Sequence, residues 1–372
     1  MTTVRGTLVL PHGVVAGSID FGERIERVEV AGNVAAGGGP IVLPGFVDTH
    51  VHGGGGADTM DGEGGVRALA RFHARHGVTT LLPTTITHPW ADVLAALEGV
   101  KAVAAGRRED GAARVAGAHL EGPFINPHRL GAQPPHAVAP EPGLVEEALA
   151  SGIIRVVTLA PELEQASAAA ARFAAAGVRV SFGHSNATAE EVELVATAAR
   201  AHGGVVGFTH LFNAMTQLTG REPGVVGAAL ADGDAFAELI FDTHHVAPVS
   251  FKAALAAKPG KLHLVTDAIR ACGMGEGVSE LGGQRVIVRG GAARLESGTL
   301  AGSVLTLDQA LRNAVRVGVG LHAASRALSG VPAAYLGLND RGELRVGALA
   351  DLVVLDENLH VQDVFVAGLP VG

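Results

Sequence analysis

Between about residue 43 and residue 330 the chain alternates short, β-branched apolar runs with Ala- and Leu-rich stretches of helical period, and this alternation restricts its possible folds more than any other feature. Candidate strands fall at 45–49, 79–82, 114–120, 153–159, 179–182, 205–209, 236–241 and 262–266. Candidate helices between and after them include 66–76, 91–105, 162–176, 189–202, 249–257 and 305–317. Eight strands in roughly 290 residues match a (β/α)₈ barrel in count and size. Near-continuous apolar strands fit a parallel sheet covered on both faces. A doubly wound open sheet is the competitor, but its Gly-rich dinucleotide fingerprint is missing after the first strand.

The two ends of the chain read differently. Residues 7–10, 14–19 and 27–30 are strand-like, and Gly37-Gly38-Gly39-Pro40 breaks the pattern. Beyond Tyr335, residues 342–355 read as turn, strand, turn, strand, and 361–366 add another strand. The expected architecture is α/β: a TIM-type barrel over 45–334 beside a small discontinuous β-sandwich domain built from 1–44 and 335–372.

Composition narrows the function classes. A formal net charge of −9 argues against non-specific nucleic-acid binding. No stretch reaches membrane-spanning length, and the N-terminus lacks a basic start followed by a signal-type apolar core. The one cysteine, Cys272, excludes an internal disulfide and fits a reducing, cytoplasmic setting; it reads as a small buried residue rather than a nucleophile.

Polar residues recur where the strands end. The first strand runs into His50-Val51-His52, and residues i and i+2 of an extended chain face the same side about 7 Å apart. An isolated H-x-H in a Gly-rich loop is more often just two polar residues, but this one has company. The later strands end in Glu121, His184, His210 and Asp267. Parallel barrel strands deliver their C-terminal ends to one face, so six potential ligands from five strands would gather on one rim. Histidine and carboxylate ligands without thiolates suit Zn²⁺, Fe²⁺, Mn²⁺ or Co²⁺ at an open site, where the pKa of a bound water falls toward neutrality. Lysine occurs only at Lys101, Lys252, Lys258 and Lys261, none at a strand end, so a carboxylated lysine bridge is excluded; if two ions bind, Glu121 is the bridging candidate. On these grounds alone the chain reads as a metal-assisted hydrolase.

The segments LPGFVDTHVHG (43–53), HLEGPFINPHRLGAQ (119–133), GHSNAT (183–188), THLFNAM (209–215), TGREPG (219–224), VTDA (265–268) and GTLAGS (298–303) resemble the amidohydrolase superfamily. Within it they resemble the N-acetylglucosamine-6-phosphate deacetylases. The resemblance implies metal-dependent hydrolysis of an acetamido group on a sugar phosphate, in amino-sugar catabolism or cell-wall recycling. Glu121, His184 and His210 match the principal metal ligands, and His50 and His52 match the pair that holds a second metal in some members. Asp267 matches the catalytic acid/base. Ala132 and Gln133, Asn213 and Ala214, Arg221, Asp242 and His245, and Ala301, Gly302 and Ser303 match substrate-binding segments. The resemblance further implies one or two divalent ions per chain, Zn²⁺ or Fe²⁺ before Mn²⁺ or Co²⁺. It also implies a homodimer with a phosphate contact shared across its interface. Gln133 stands where many relatives carry a histidine. His119, two residues before Glu121, reads equally well as a substrate contact or as a satisfied core histidine. His73, His76, His88, His128, His136, His202, His263, His322 and His360 read as surface or structural. Open alternatives are N-acetylgalactosamine-6-phosphate deacetylase, a cyclic-amide hydrolase or deaminase, and a binding protein without turnover.

Overall fold

The computed structural model describes residues 1–32 and 39–372, so the Gly37-Gly38 break lies outside the described residues. Eight parallel strands form the centre of the molecule: Phe46–Val51, Val78–Pro83, Ala118–Glu121, Ile154–Leu159, Arg179–Phe182, Val206–Phe208, Ala237–Ile240 and Leu262–Val265. Neighbours pair in chain order. The sixth strand reaches the seventh through Phe208 N–H to the Phe236 carbonyl at 3.0 Å and Phe236 N–H to the Val206 carbonyl at 2.9 Å. The ladder closes where Val51 bridges Ala268 and Asp267 N–H donates to the His50 carbonyl at 2.9 Å. This is a TIM-type barrel. No helix is long and apolar enough to cross a membrane among the described residues.

The first two strands are buried at every position, as a sheet wrapped by helices requires. The third strand departs from the expected single run 114–120. Gly117 adopts φ +144° and splits it into Arg114–Val115 and Ala118–Glu121. The expected helices are present as Glu63–Ala74, Trp90–Ala105, Ala166–Ala175, Ala189–Ala201, Pro248–Ala257 and Leu307–Arg316. Thr188 begins one with a reciprocal cap, its side chain accepting from Glu191 N–H while the Glu191 carboxylate accepts from Thr188 N–H. The 162–176 segment becomes helical only at Ala166, because Gln165 sits at φ +66°.

Both chain ends enter one seven-stranded sheet, in the order Leu369–Pro370, Val361–Val366, Leu352–Leu355, Ile41–Pro44, Thr2–Leu10, Gly13–Phe21, Ile25–Gly32. Ile41–Pro44 joins them, parallel to Thr2–Leu10 and antiparallel to Leu352–Leu355. Leu8, Ile19, Phe21, Val42 and Leu352 form its apolar core. The strand expected near 344–346 does not form. Gly342 and Gly347 turn the chain on either side with φ above +80°, and Leu344 inserts into that core instead. A three-stranded antiparallel sheet, Gly277–Leu281, Gln284–Arg289 and Ala292–Leu295, follows the eighth barrel strand and was not expected. Its alternating burial and the Gly282-Gly283 and Gly290-Gly291 turns were a legible hairpin signal.

Candidate metal centre

The barrel interior is polar where many barrels are aliphatic. Thr49, His50, His119, Thr158, Ser181, Thr209, Glu238 and His263 are all buried, and hydrogen bonds run among them. At the C-terminal ends of the strands this interior opens into a cavity of about 350 Å³, within the range of small-ligand sites.

Six side chains converge on the cavity floor. Glu121 Oε1 lies 3.3 Å from His184 Nε2, 3.2 Å from His210 Nε2 and 3.5 Å from His50 Nε2. Its Oε2 lies 3.2 Å from His52 Nε2. Asp267 Oδ1 is 3.2 Å from His52 Nε2 and 3.5 Å from His50 Nε2. The two rings of each pair are also close, His184 to His210 at 3.0 Å and His50 to His52 at 3.3 Å between Nε2 atoms. Ligands about 2.0–2.2 Å from one ion stand roughly 3–3.5 Å from each other.

The proton positions show what this crowding demands. His184 Nδ1 faces the Arg129 carbonyl at 2.8 Å, His52 Nδ1 the Thr84 carbonyl at 3.2 Å, and His50 Nδ1 the Glu238 carboxylate at 3.0 Å. Each of these partners only accepts, so each ring carries a proton on Nδ1 and turns its Nε2 inward. Those nitrogens meet two ionised carboxylates. Burial opposes ionisation of Glu121, but His50 and His184 outweigh it and hold its carboxyl well below the ordinary range. Burial likewise opposes Asp267, and the neighbouring His50 and His52 bring it down to about 2. Glu121 Oε1 is buried with no hydrogen-bond donor of its own. Two carboxylates among inward-facing nitrogens at such spacing call for positive charge: burial opposes a proton on His52, yet Asp267 and Glu121 raise its ring to about 9, and a divalent cation would supply that charge for the whole set.

Local backbone explains how the rim is shaped. His184, His210 and Asp267, each just past a strand end, adopt φ of +49°, +32° and +48°. That left-handed step turns the side chain from the barrel wall into the opening. Gly302 holds Asp267 from behind with φ +51°; a Cβ there would lie 2.5 Å from Ile269 Cγ2 and 2.9 Å from the Asp267 carbonyl. Thr266 Oγ1 donates to Asp48 Oδ2 at 2.6 Å, tying the eighth strand to the first beside Asp267.

The other expected site residues divide. Ala132, Gln133, Asn213, Ala214, His245 and Gly302 line the cavity together with His52, Glu121, His184, His210 and Asp267, and His50 sits fully buried beneath the floor. Arg221 does not: it is exposed, and the cavity of its own chain is lined without it. Asp242 also stays off the wall, because its carboxylate is spent on the His245 ring at 2.7 Å and the His244 and His245 N–H groups at 2.8 Å. Ala301 and Ser303 are buried behind the wall; Ser303 N–H donates to the Asp267 carbonyl at 2.7 Å and its hydroxyl to the Thr266 carbonyl at 2.6 Å. His119 points away from the cavity, bonded to the Thr49 carbonyl at 3.0 Å and Thr158 Oγ1 at 2.7 Å, and burial pushes its ring down to about 4. It is a core histidine.

Several participants were missed by the sequence reading or given another role there: Gln133 was expected at the substrate and His128 at the surface. Gln133 donates to Glu121 Oε2 at 2.5 Å and accepts from Thr87 N–H at 2.6 Å, so it braces the carboxylate. Glu162 accepts from Asn126, Ser185 and Asn186 and clamps the loop that carries His184. His128 and Arg129 line the cavity, and Leu281 of the unexpected sheet closes one side. A carboxylate inside an otherwise apolar strand was the one available signal for Glu238.

A model of the Amidohydrolase family matches residues 41–371, and the chain belongs to that hydrolytic family. It is 41% identical over 336 residues to the N-acetylgalactosamine-6-phosphate deacetylase of Escherichia coli O157:H7, covering 88% of this chain and 87% of that protein. It is 38% identical to the N-acetylglucosamine-6-phosphate deacetylase of Bacillus subtilis strain 168, covering 86% and 82%. A solved structure of a mutant Mycobacterium smegmatis N-acetyl-D-glucosamine-6-phosphate deacetylase, in complex with N-acetyl-D-glucosamine-6-phosphate, superposes with a TM-score of 0.91 at 35% identity, over 100% of this chain and 99% of that one.

Proposed function

We propose that the chain hydrolyses the acetamido group of N-acetylglucosamine 6-phosphate to glucosamine 6-phosphate and acetate, in amino-sugar catabolism or cell-wall recycling. The observation that carries this reading is Asp267 Oδ1, ionised and 3.2 Å from His52 Nε2, on a cavity floor shared with Glu121, His184 and His210. Divalent cations held by Glu121, His184 and His210, and by His50 and His52, would polarise the amide carbonyl and lower the pKa of the attacking water. The donor set suits Zn²⁺ or Fe²⁺ first, with Mn²⁺ or Co²⁺ as substitutes.

Asp267 accepts a proton from the water as the oxygen adds to the carbonyl carbon. It then delivers that proton to the nitrogen as the C–N bond breaks, so the amine leaves neutral. Ser303 N–H and Gly302 keep the Asp267 backbone in place while its carboxyl changes charge. His245, fixed by Asp242, and the backbone at Asn213 and Ala214 hold the phosphate, with Arg129 and His128 beside them at the wall. Exposed Arg221 completes the phosphate site of a second subunit in a homodimer. The single cysteine fits a cytoplasmic enzyme. The sheet of the chain ends, wrapped around Leu8, Ile19 and Phe21, is taken as the β-sandwich domain of residues 1–44 and 335–372, with 45–334 as the catalytic domain.

A second reading, N-acetylgalactosamine 6-phosphate as substrate, is favoured by the 41% identity to a deacetylase of that name. Acetate release measured on the gluco and galacto forms, each with and without the 6-phosphate, decides between them. Faster release from the phosphorylated gluco sugar supports the main reading, preference for the galacto sugar replaces it, and no release from either phosphate refutes both.

A further inference from the structure

We propose that Glu238 is a positioning residue for the metal centre: it fixes the proton of His50 on Nδ1 and so presents Nε2 to the cation. The proposal rests on the two-metal reading above. Glu238 lies on the Ala237–Ile240 strand, fully enclosed by the barrel, and both its oxygens are committed. Oε2 lies 3.0 Å from His50 Nδ1, and Oε1 accepts from Thr49 Oγ1 at 2.8 Å. Thr49 Oγ1 in turn lies 3.0 Å from His263 Nε2.

A carboxylate only accepts, and this assigns every proton in the chain of contacts. The Thr49 hydroxyl hydrogen goes to Glu238, so the Thr49 oxygen is left to accept from His263 Nε2–H. His50 donates from Nδ1, so Nε2 is the atom that faces His52 Nε2 at 3.3 Å and both Glu121 and Asp267 at 3.5 Å. Glu238, Thr49 and His263 do not line the cavity, so none of them touches substrate. His52 differs, since a carbonyl rather than a carboxylate braces its Nδ1. A charged acceptor behind a ligating imidazole sets the tautomer, fixes ring orientation and raises ligand basicity.

The test uses the full chain as wild type, Glu238→Gln and Thr49→Val, each titrated with Co²⁺ against a competing chelator. Metal content and the visible absorption of the bound Co²⁺ are read, with circular dichroism to establish folding. The wild type should take two ions. Glu238→Gln should retain one, bind the second about 10–100-fold more weakly, and shift that ion's absorption band. Thr49→Val should move in the same direction by less, and it carries the comparison if Glu238→Gln does not fold. A wild type with two ions and folded variants indistinguishable from it would overturn the role of Glu238 alone. A wild type that takes fewer than two overturns the two-metal reading along with it.

Discussion

At the barrel rim, six of the nine non-glycine residues described with positive φ lie within a few residues of a strand end: His184, His210, Phe212, Ala214, Thr243 and Asp267. In the sheet of the chain ends there are two, Leu359 and Ala367, both in turns that join its last strands. There the first two strands pair without interruption from Thr2↔Phe21 to Leu10↔Gly13, over a core in which Leu8, Ile19 and Phe21 are fully buried. The rim instead concentrates buried charge and strained backbone, each left-handed non-glycine residue costing about 1–3 kcal/mol. Stability and chemistry are therefore drawn from different places. Substitutions in the two regions should separate cleanly, one affecting turnover and the other folding.

The largest expected effect breaks the chemistry and spares the fold. Asp267→Asn removes the proton acceptor while keeping shape, so kcat should fall by about 10²–10⁴-fold with metal content and Tm near wild type. Near-normal turnover in that variant would refute the role of Asp267. The mirror-image experiment lies in the terminal sheet. Phe21 is fully buried, with its ring 5.1 Å from that of Phe365. Phe21→Ala should cost about 3–5 kcal/mol in chemical denaturation. Its kcat per folded molecule should not change; a large drop would mean that the two regions are coupled.

The third effect is a pH dependence carried by buried histidines of the barrel. Burial pushes His73, His119 and His263 down to about 4. Their unfolded values lie near 6.5, so between pH 6.5 and pH 4 the unfolded chain binds protons that the native barrel refuses. Stability should fall through that window by about 1.4 kcal/mol per pH unit for each ring. Urea denaturation at pH 7, 5.5 and 4.5 measures the slope. His119→Asn should make it shallower, and an unchanged slope would remove His119 from the account.

The rim was legible because barrel strands share a direction. Once the strands ending in Glu121, His184, His210 and Asp267 were recognised, a common face followed from topology without any coordinates. What stayed hidden depends on contacts between residues far apart in sequence. Glu238 meets His50 across 188 positions, and nothing local marks that pair. Gln133 drew notice as a departure from the family pattern, yet its bond to Glu121 required the loop's path. Arg221 sits in a recognisable motif, but a motif does not say on which side of the barrel its loop projects.

The amino-acid order alone determined the period of strands and helices, the residue type at each strand end, and the polar character of the rim. These follow from local sterics and from which side chains an apolar sheet can bury. Only the tertiary structure decided which nitrogen of each imidazole faces inward, which carboxylate stands behind it, and which loops reach the cavity. Those outcomes depend on distances of about 3 Å between segments that meet only when the barrel closes.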